Sequence, residues 1–452
     1  MNITSNKTKR QPIQLSDHFD YPRLLRFTLP CIIMMIFNSI YSVVDGYFVS
    51  NYVGKTPFAA VNFIMPLITI LGSVGFMFGA GGGALVARSL GEGKKERARR
   101  LFSLFVYVTA ISGTIIAVLV FIFLEPILQM MGAEGQLLQD ALLYGRILLP
   151  ILPFYMLQFE FNSFLVTAEK PKLGLIVALI AGVLNMTLDA LFMVVFKWGL
   201  AGAAVATGIS QMIGGLIPLI YFLRPNSSLL QLGPTHFNGP ALLRACTNGS
   251  SELMSNIALS LVSMLYNRQL LNYVGENGVA AYGVIMYVSF VFLAIFIGYS
   301  NGIAPVTGYH FGAGNHAELR SLLHKSLKLT AVLSMTMLIL AQLFGGLFAK
   351  IFVGYDPELL ALTVHAFRIY AFVYLFAGFA TYSSSFFTAL SDGLTSALIA
   401  FLRSLVFEIS MVLILPIYLK VDGIWLSAVL ADMFTVIVAF AFIIGKRKRY
   451  HY

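Results

Sequence analysis

The sequence has 452 residues, of which 58% are hydrophobic and only 11% are charged. An ordinary soluble domain carries roughly 25% charged residues, so this composition excludes a water-soluble globule. The formal net charge of +10 comes from short basic segments between apolar runs, which excludes the long basic face of a nucleic-acid-binding protein. We therefore predict an all-α integral membrane protein whose partner is the lipid bilayer and not nucleic acid.

Twelve apolar runs, each longer than the ~20 residues that cross a bilayer, follow one another along the chain. Six precede and six follow a central stretch rich in turn residues. The predicted spans are 22–50, 57–87, 101–124, 137–165, 172–196, 200–223, 244–273, 278–308, 321–349, 358–390, 394–419 and 423–445. The predicted units are a cytoplasmic amino-terminal segment 1–21, an amino lobe 22–223, a cytoplasmic linker 224–243, a carboxyl lobe 244–445 and a basic tail 446–452.

The two sets of six spans align on one another at a constant shift of 221 residues (280 − 59, 423 − 202). The identities include Ala59 on Ala280, Ala60 on Ala281, Gly81 on Gly302, Gly91 on Gly312, Gly93 on Gly314 and Gly202 on Gly423. Chance would not keep one offset from the second span to the sixth, so the halves are predicted to be homologous bundles. Two six-helix repeats share one orientation and are related by an axis along the membrane normal.

Charge in the connections predicts the orientation of the chain in the membrane. The connection after the second span and the carboxyl end are both basic and fall on the same side of the membrane. Their basic residues are Arg88, Lys94, Lys95, Arg97, Arg99 and Arg100, and Lys446, Arg447, Lys448 and Arg449. Because basic connections stay in the cytoplasm, both termini are predicted to be cytoplasmic, in a multi-pass protein of the cell membrane.

The glycine-dense stretch from Gly79 to Gly83 lies inside the second apolar span. A glycine loop that cradles phosphate needs a strand before it and a helix after it, which a membrane span does not offer. Close helix packing or a break in the helix is the favoured interpretation.

In the first span, Asn38, Tyr41 and Asp45 are spaced by three and four residues and share a helix face, and Pro30 precedes them. An aspartate at the membrane centre costs about 2.5 to 3.5 kcal/mol, so it is expected to face a cavity or a partner. The alternative for Asp45 is a residue at the helix end that reaches toward the outer interface.

The fifth span carries Asn185 and Asp189 four residues apart, and the sixth carries Thr207 and Gln211 at the same spacing. Two carboxylates, an amide and a hydroxyl would together hold one proton or one small cation, which points to a protonation switch. The alternative for Asn185 and Thr207 is helix-to-helix hydrogen bonding, which contributes about 0.6 kcal/mol in membranes.

The second half lacks the counterpart acids, since Tyr266 and Ser410 stand opposite Asp45 and Asp189. Candidates for lining a cavity there are Asn256, Ser260, Ser263 and Asn267 on the seventh span and Glu408, with Arg403, on the eleventh. Charged residues near predicted span ends are expected mostly to be solvated or ion-paired at the interface: Arg146, Glu160, Glu252, Arg268, Arg368 and Asp432.

Pro30, the stretch 38–50 (NSIYSVVDGYFVS), the stretch 185–189 (NMTLD) and GLAGAAVAT ending at Thr207 resemble the multidrug and toxic compound extrusion (MATE) family, within the MOP superfamily. The likeness is greater to its DinF-like branch than to its NorM-like branch, and it covers nearly the whole chain.

The resemblance implies an antiporter that expels organic cations or other amphipathic drugs in exchange for inward H+ or Na+, and so confers antibiotic resistance. It implies that Asp45, Asn185, Asp189 and Thr207 form the cation site, with H+ or Na+ as its ion, and that Pro30 lets the first helix bend. The acids that NorM-like members carry in the tenth span for sodium are missing here. No cofactor, no resident metal, no enzymatic activity and a monomeric state are expected.

Two alternatives remain open from the sequence. A flippase for a lipid-linked precursor keeps the fold but needs a cationic central cavity, for which Arg146, Arg268, Arg368 and Arg403 are the candidates. A membrane enzyme or receptor needs a reactive constellation or a signalling domain. The sequence does not decide the substrate, the choice between H+ and Na+, or the roles of Glu252, Arg268 and Glu408.

Overall fold

The computed structural model of the chain describes residues 13–452, which contain helices and no β-strand. Most of the predicted amino-terminal segment 1–21 lies outside the described residues. The first ten helices are α1 (Tyr21–Val53), α2 (Thr56–Gly91), α3 (Lys95–Met130), α4 (Gly135–Thr167), α5 (Pro171–Val195), α6 (Gly199–Leu223), α7 (Gly239–Tyr273), α8 (Glu276–Gly312), α9 (His316–Val353) and α10 (Pro357–Tyr370 with Val373–Ala389). The helical stretch Gly393–Tyr450 contains α11 (393–419) and α12 (421–450).

Nine helical stretches within the described residues are long and apolar enough to cross a membrane, and the two parts of α10, bent by 47°, form a tenth. The stretch Gly393–Tyr450 makes two passes, because Lys420 (φ 51°, ψ −128°) breaks it with a conformation that no helix contains. The remaining pass is α7, whose 35 residues exceed the bilayer length but include many polar side chains. The described chain is therefore consistent with the predicted twelve spans.

Several helices extend beyond the predicted spans because Lys, Arg and Glu are good helix formers outside the bilayer. Helix α3 begins at Lys95 instead of residue 101, α7 begins at Gly239 instead of 244, and α12 continues to Tyr450. Most of the residues predicted as a basic tail are therefore the last turn of α12. The unit boundaries stay predictions.

The central linker lies against α3. Its backbone is held by Ser103 Oγ, which accepts from Gly233 N at 3.1 Å, and by Thr235 Oγ1, which donates to Arg100 O at 2.8 Å. Leu230 is completely buried. The linker between the halves is therefore an ordered, packed part of the amino half.

Apolar side chains of residues 13–452 form three hydrophobic cores. One comprises α1, α2, α3, α4, α5 and α6 residues within the amino half, and a second comprises residues of α7 to α12 within the carboxyl half. The third draws on both halves and includes Phe102, Phe161, Tyr299 and Phe386. This arrangement gives two bundles joined by a shared core at one end.

Glycines let the two bundles approach backbone to backbone at this end. Gly81 and Gly249 bring α2 against α7, Gly91 and Gly312 bring α2 against α8, and Gly298 and Gly302 bring α1 against α8. A Cβ added at Gly298 would lie 2.5 Å from Ile32 Cα. All of these approaches lie in the half of each helix nearest the basic connections. The packing role predicted for the glycine-dense stretch is confirmed, and Phe78–Gly82 is also a π-helical break in α2.

We expect Gly298→Ala to lower the free energy of unfolding by about 1 to 3 kcal/mol, because the added methyl group would overpack a backbone contact. The matched control is Gly283→Ala in the same helix, where an added Cβ meets nothing within 4 Å. That control should be neutral or stabilise by about 0.5 to 1 kcal/mol through helix propensity. Thermal unfolding in detergent measures both, and equal effects would contradict the tight contact.

The segment before α1 also bridges the bundles at this end. Leu15 N donates to the Glu169 carboxylate at 2.6 Å in the amino half. Glu318 at the start of α9 accepts from Phe19 N at 2.9 Å and lies 2.6 Å from His18 Nδ1. Burial raises the pKa of Glu169, and the hydrogen bond from Leu15 N opposes that rise.

Candidate cation site in the amino lobe

Asp189 is the last α-helical residue before a π-helical turn, and Asp45 lies about one turn before another. The turn in α1 covers Val49–Val53 and the turn in α5 covers Ala190–Val195. Such turns widen the helix locally and are frequent at functional sites. Helices α1 and α5 pack side by side, which brings the two acids to the same depth in the bundle.

The carboxyl groups of Asp45 and Asp189 are neighbours, close enough for each to influence the other's charge state. Asp189 is completely buried, and neither of its oxygens nor Oδ1 of Asp45 has a hydrogen-bond partner in the part of the chain that the structure describes. Two ionised carboxylates are acceptors only, so a bond between them needs a proton on one of them. The side chain of Asp45 thus faces the bundle interior and not the outer interface.

Asn185, one turn before Asp189, and Thr207, beside Tyr144, add further buried oxygens near the pair. Asn185 is 2% exposed, and within residues 13–452 its Oδ1 has no hydrogen-bond partner; Oγ1 of Thr207 is also buried and has only the Tyr144 hydroxyl beside it. Buried polar atoms are nearly always hydrogen-bonded, so several unpaired oxygens on three neighbouring helices are unusual. The four residues that the spacing and the family resemblance singled out therefore lie on packed helices, and their free acceptors suit a proton or a small cation.

Three tyrosines lie around the acid pair, and sequence spacing did not single out two of them. Tyr41 of α1 lies beside Asp45, as its spacing predicts. Tyr144 of α4 places its hydroxyl next to that of Thr207 and lies near both acids, and Tyr155 lies next to Tyr41. Sequence analysis missed Tyr144 and Tyr155 because α4 passes through a 3₁₀ turn, Leu149–Ile151, which disturbs the helical spacing. Pro150 and Pro153 are the one signal of that turn.

The remaining amino-half candidates have more ordinary surroundings. Asn38 is half-buried, one turn before Tyr41, and Gln211 is 8% exposed, one turn after Thr207. Pro30 is buried within α1, which continues as a helix through it from Tyr21 to Phe48. A bend at Pro30 stays a prediction.

Glu160 of α4 was expected at an interface, and that interpretation is wrong. It is completely buried, and neither carboxyl oxygen has a hydrogen-bond partner among the described residues. The hydroxyl of Thr109 on α3 lies beside it and is also unpaired. An ionised carboxylate without partners would cost several kcal/mol here, so we expect Glu160 to be neutral.

This expectation predicts that Glu160→Gln changes the free energy of unfolding by less than about 1 kcal/mol, because the amide has the same shape and is also neutral. The same substitution at Glu318 removes the charge that faces His18 and Phe19 N, and should destabilise by about 1 kcal/mol or more. Thermal unfolding of both variants near pH 7 tests this, and a larger loss at Glu160 than at Glu318 would refute the neutral form.

The carboxyl half holds a different constellation. Arg403 donates from Nε to Asp432 Oδ1 at 2.6 Å and from Nη2 to Oδ2 at 3.0 Å. Glu408 closes the π-helical turn Leu402–Glu408 and lies near Tyr266, Tyr282 and Tyr370. Asp432 of α12 therefore neutralises the charge of Arg403, which lies on α11 together with Glu408.

The polar face predicted on α7 is only partly available to a cavity. Asn256 donates its amide to Glu252 O in its own helix at 2.9 Å, Ser260 is half-buried, and Ser263 lies beside the Tyr282 hydroxyl. Asn267 and the neighbouring Arg268 are exposed. Among residues 13–452, no group of three or more His, Cys, Asp or Glu side chains has the arrangement of a metal site.

The MatE family model matches the chain twice, over residues 30–191 and 253–414. The chain belongs to the MATE family of transporters. Its two matches repeat the duplication, at a shift of 223 residues (253 − 30, 414 − 191). The DinF-like branch stays a prediction.

Relatives and solved structures agree with this membership. The chain is 25% identical over 366 residues to the multidrug export protein MepA of Staphylococcus saprophyticus, covering 78% of this chain and 80% of the relative. It is 25% identical over 354 residues to MepA of Staphylococcus haemolyticus, covering 77% of each. A MATE family multidrug resistance transporter in an outward-facing conformation superposes with a TM-score of 0.90 at 21% identity, over 95% of this chain and 96% of that one. This solved structure therefore shares the fold of the MATE protein described here.

Proposed function

We propose that this MATE protein is a secondary active efflux transporter that exports organic cations and amphipathic drugs in exchange for H+ or Na+. The observation that carries the proposal is the facing pair Asp45 and Asp189, with buried unpaired oxygens inside the amino bundle. The MepA relatives are multidrug export proteins, which supports the drug substrates.

The coupling follows from electrostatics. Two ionised carboxylates in contact repel each other strongly in a medium of low dielectric constant. One proton or one cation between them removes the repulsion, and Asn185 Oδ1 and Thr207 Oγ1 add neutral oxygen ligands. If the ion binds one conformation of the bundles better than the other, it shifts the balance between them by that difference in affinity.

The bundles meet at the end that carries the basic connections, through the glycine contacts of α1, α2, α7 and α8. If that end is cytoplasmic, as the excess of Lys and Arg predicts, the protein is closed to the cytoplasm and open outward. The acid pair would then load its ion from outside, in a monomeric protein of the cell membrane with both termini in the cytoplasm.

The flippase alternative has less support in the geometry. It needs a cationic centre for pyrophosphate, but the half-buried candidate, Arg403, is already paired with Asp432. An envelope defect on deletion, without drug sensitivity, would favour the flippase.

Transport in proteoliposomes tests the proposal. Ethidium export should follow an imposed inward proton gradient, an inward sodium gradient, or both, and should stop when the effective gradient is collapsed. Export that is equal with and without either gradient would overturn ion coupling.

A further inference from the structure

A cavity of about 390 Å³ lies at the basic end of the protein, between the α2–α3 connection and the start of α7. Its charged lining residues are Arg88, Lys94, Arg97 and Arg244, and one acid, Glu92. The rest of the wall mixes apolar side chains, such as Leu85 and Leu101, with the polar Ser89 and Asn238. The cavity is therefore a shaped pocket with a net charge of +3 and not a flat basic surface.

Glu92 is shared among three of these cations. Its carboxylate accepts from Arg88 Nε at 3.1 Å and Lys94 Nζ at 2.9 Å, and Arg97 Nη1 lies 3.7 Å away. The hydrogen bond from Lys94, together with that from Arg88, lowers the pKa of Glu92 against the opposing effect of its burial. The acid is therefore ionised at neutral pH, but one negative charge leaves most of the positive charge uncompensated.

The start of α7 adds to this imbalance. Asn238, Pro240 and Ala241 line the cavity, so the positive end of a 35-residue helix faces the same space as the basic side chains. Asn238 Oδ1 accepts from the amide of Ala241 at 3.1 Å, a neutral cap that satisfies one free N–H but brings no negative charge. Cations and a helix amino terminus repel each other, and an anion between them would relieve that repulsion.

We propose that this cavity binds a phosphate group, either the headgroup of an anionic lipid or a free phosphate anion. Arginine and lysine donors gathered in one cavity suit phosphate oxygens, which accept several charge-assisted hydrogen bonds. The cavity lies at the end of the spans, which is the depth of lipid headgroups. Its walls come from α2 and α3 of one bundle and α7 of the other, so a bound phosphate would also stabilise the contact between the bundles.

The alternative explanation is that these basic residues serve only to orient the chain in the membrane. The chain offers a matched control, because Lys95 and Arg100 are exposed residues of the same connection that do not line the cavity. The double variant Lys95→Gln with Arg100→Gln removes as much charge as Arg97→Gln with Arg244→Gln.

The experiment uses the full chain in nanodiscs, with thermal unfolding and isothermal titration as readouts. In phosphatidylcholine discs, inorganic phosphate and pyrophosphate are titrated to test a free anion. In a second arm, discs with phosphatidylglycerol are compared with phosphatidylcholine discs, and native mass spectrometry counts the retained anionic lipid. Saturable binding in either arm supports the cavity and identifies the source of the phosphate.

We expect the Arg97→Gln, Arg244→Gln variant to bind the effective anion roughly tenfold more weakly or worse, as the loss of charge-assisted hydrogen bonds requires. The Lys95→Gln, Arg100→Gln control should bind like the unaltered protein, and Glu92→Gln should bind more tightly. No binding in either arm, or equal weakening in the two double variants, would overturn the proposal. If the Arg97→Gln, Arg244→Gln variant does not fold, the anion affinity of Glu92→Gln decides between the explanations. Affinity that is equal to or weaker than that of the unaltered protein would refute the proposed site.

Discussion

Asp189→Asn is expected to abolish ion-driven export while the protein remains folded. The amide keeps the shape of the side chain but removes the charge that binds the ion, so the ion no longer favours one conformation. Coupling free energies of 1 to 3 kcal/mol correspond to factors of about 5 to 150, and we expect drug export to fall by at least about tenfold. Asp45→Asn should act in the same way, because the two carboxyl groups form one site.

Drug efflux from cells that lack their own pumps measures the effect, with the amount of protein in the membrane measured in parallel. The matched control is Asp422→Asn, which alters a half-exposed acid that pairs with His365 at 2.8 Å. That variant should export at the normal rate. Undiminished export in both Asp45→Asn and Asp189→Asn would reject the site.

Asp432→Ala is expected to destabilise the carboxyl bundle by about 3 to 5 kcal/mol. Asp432 is 4% exposed and holds Arg403 through two hydrogen bonds, so its loss leaves a largely buried guanidinium without a counter-charge. The measurement is the thermal midpoint in detergent, together with the yield of folded protein.

A double variant distinguishes the effect of the ion pair from the effect of the volume that its side chains fill. Arg403→Met with Asp432→Leu removes both charges and should recover most of the lost stability, since a buried pair replaced by apolar groups is often neutral. Two results would contradict the predicted loss of stability. One is an Asp432→Ala variant as stable as the unaltered protein, and the other is a double variant no more stable than Asp432→Ala.

The spans were predictable because a bilayer forces every backbone polar group to bond within its own segment, and only long apolar helices meet that demand. Helix ends were less predictable, since residues such as Lys95 and Arg447 continue helices into water without changing the apolar pattern. The break at Lys420 falls between the predicted spans 394–419 and 423–445, where a short polar stretch separates two apolar runs.

Within the site, spacing found the residues that lie on regular helix faces, such as Asn185 and Asp189. It failed where the backbone leaves regular geometry or where partners come from distant helices. Tyr144 reaches Thr207 from a helix that contains a 3₁₀ turn, and Arg403 pairs with Asp432, 29 residues later. The sequence also did not predict how deeply a residue is buried. Glu160 is near the end of an apolar run, yet it is completely buried.

The most direct test of the acid pair is the affinity of the purified protein for a drug as a function of pH and of sodium concentration. If one ion and the drug exclude each other through Asp45 and Asp189, the drug dissociation constant should rise by about tenfold per tenfold increase in the competing ion once that ion saturates its site. The Asp45→Asn, Asp189→Asn double variant should show no such dependence. A double variant whose drug affinity still follows pH or sodium as the unaltered protein does would contradict the account.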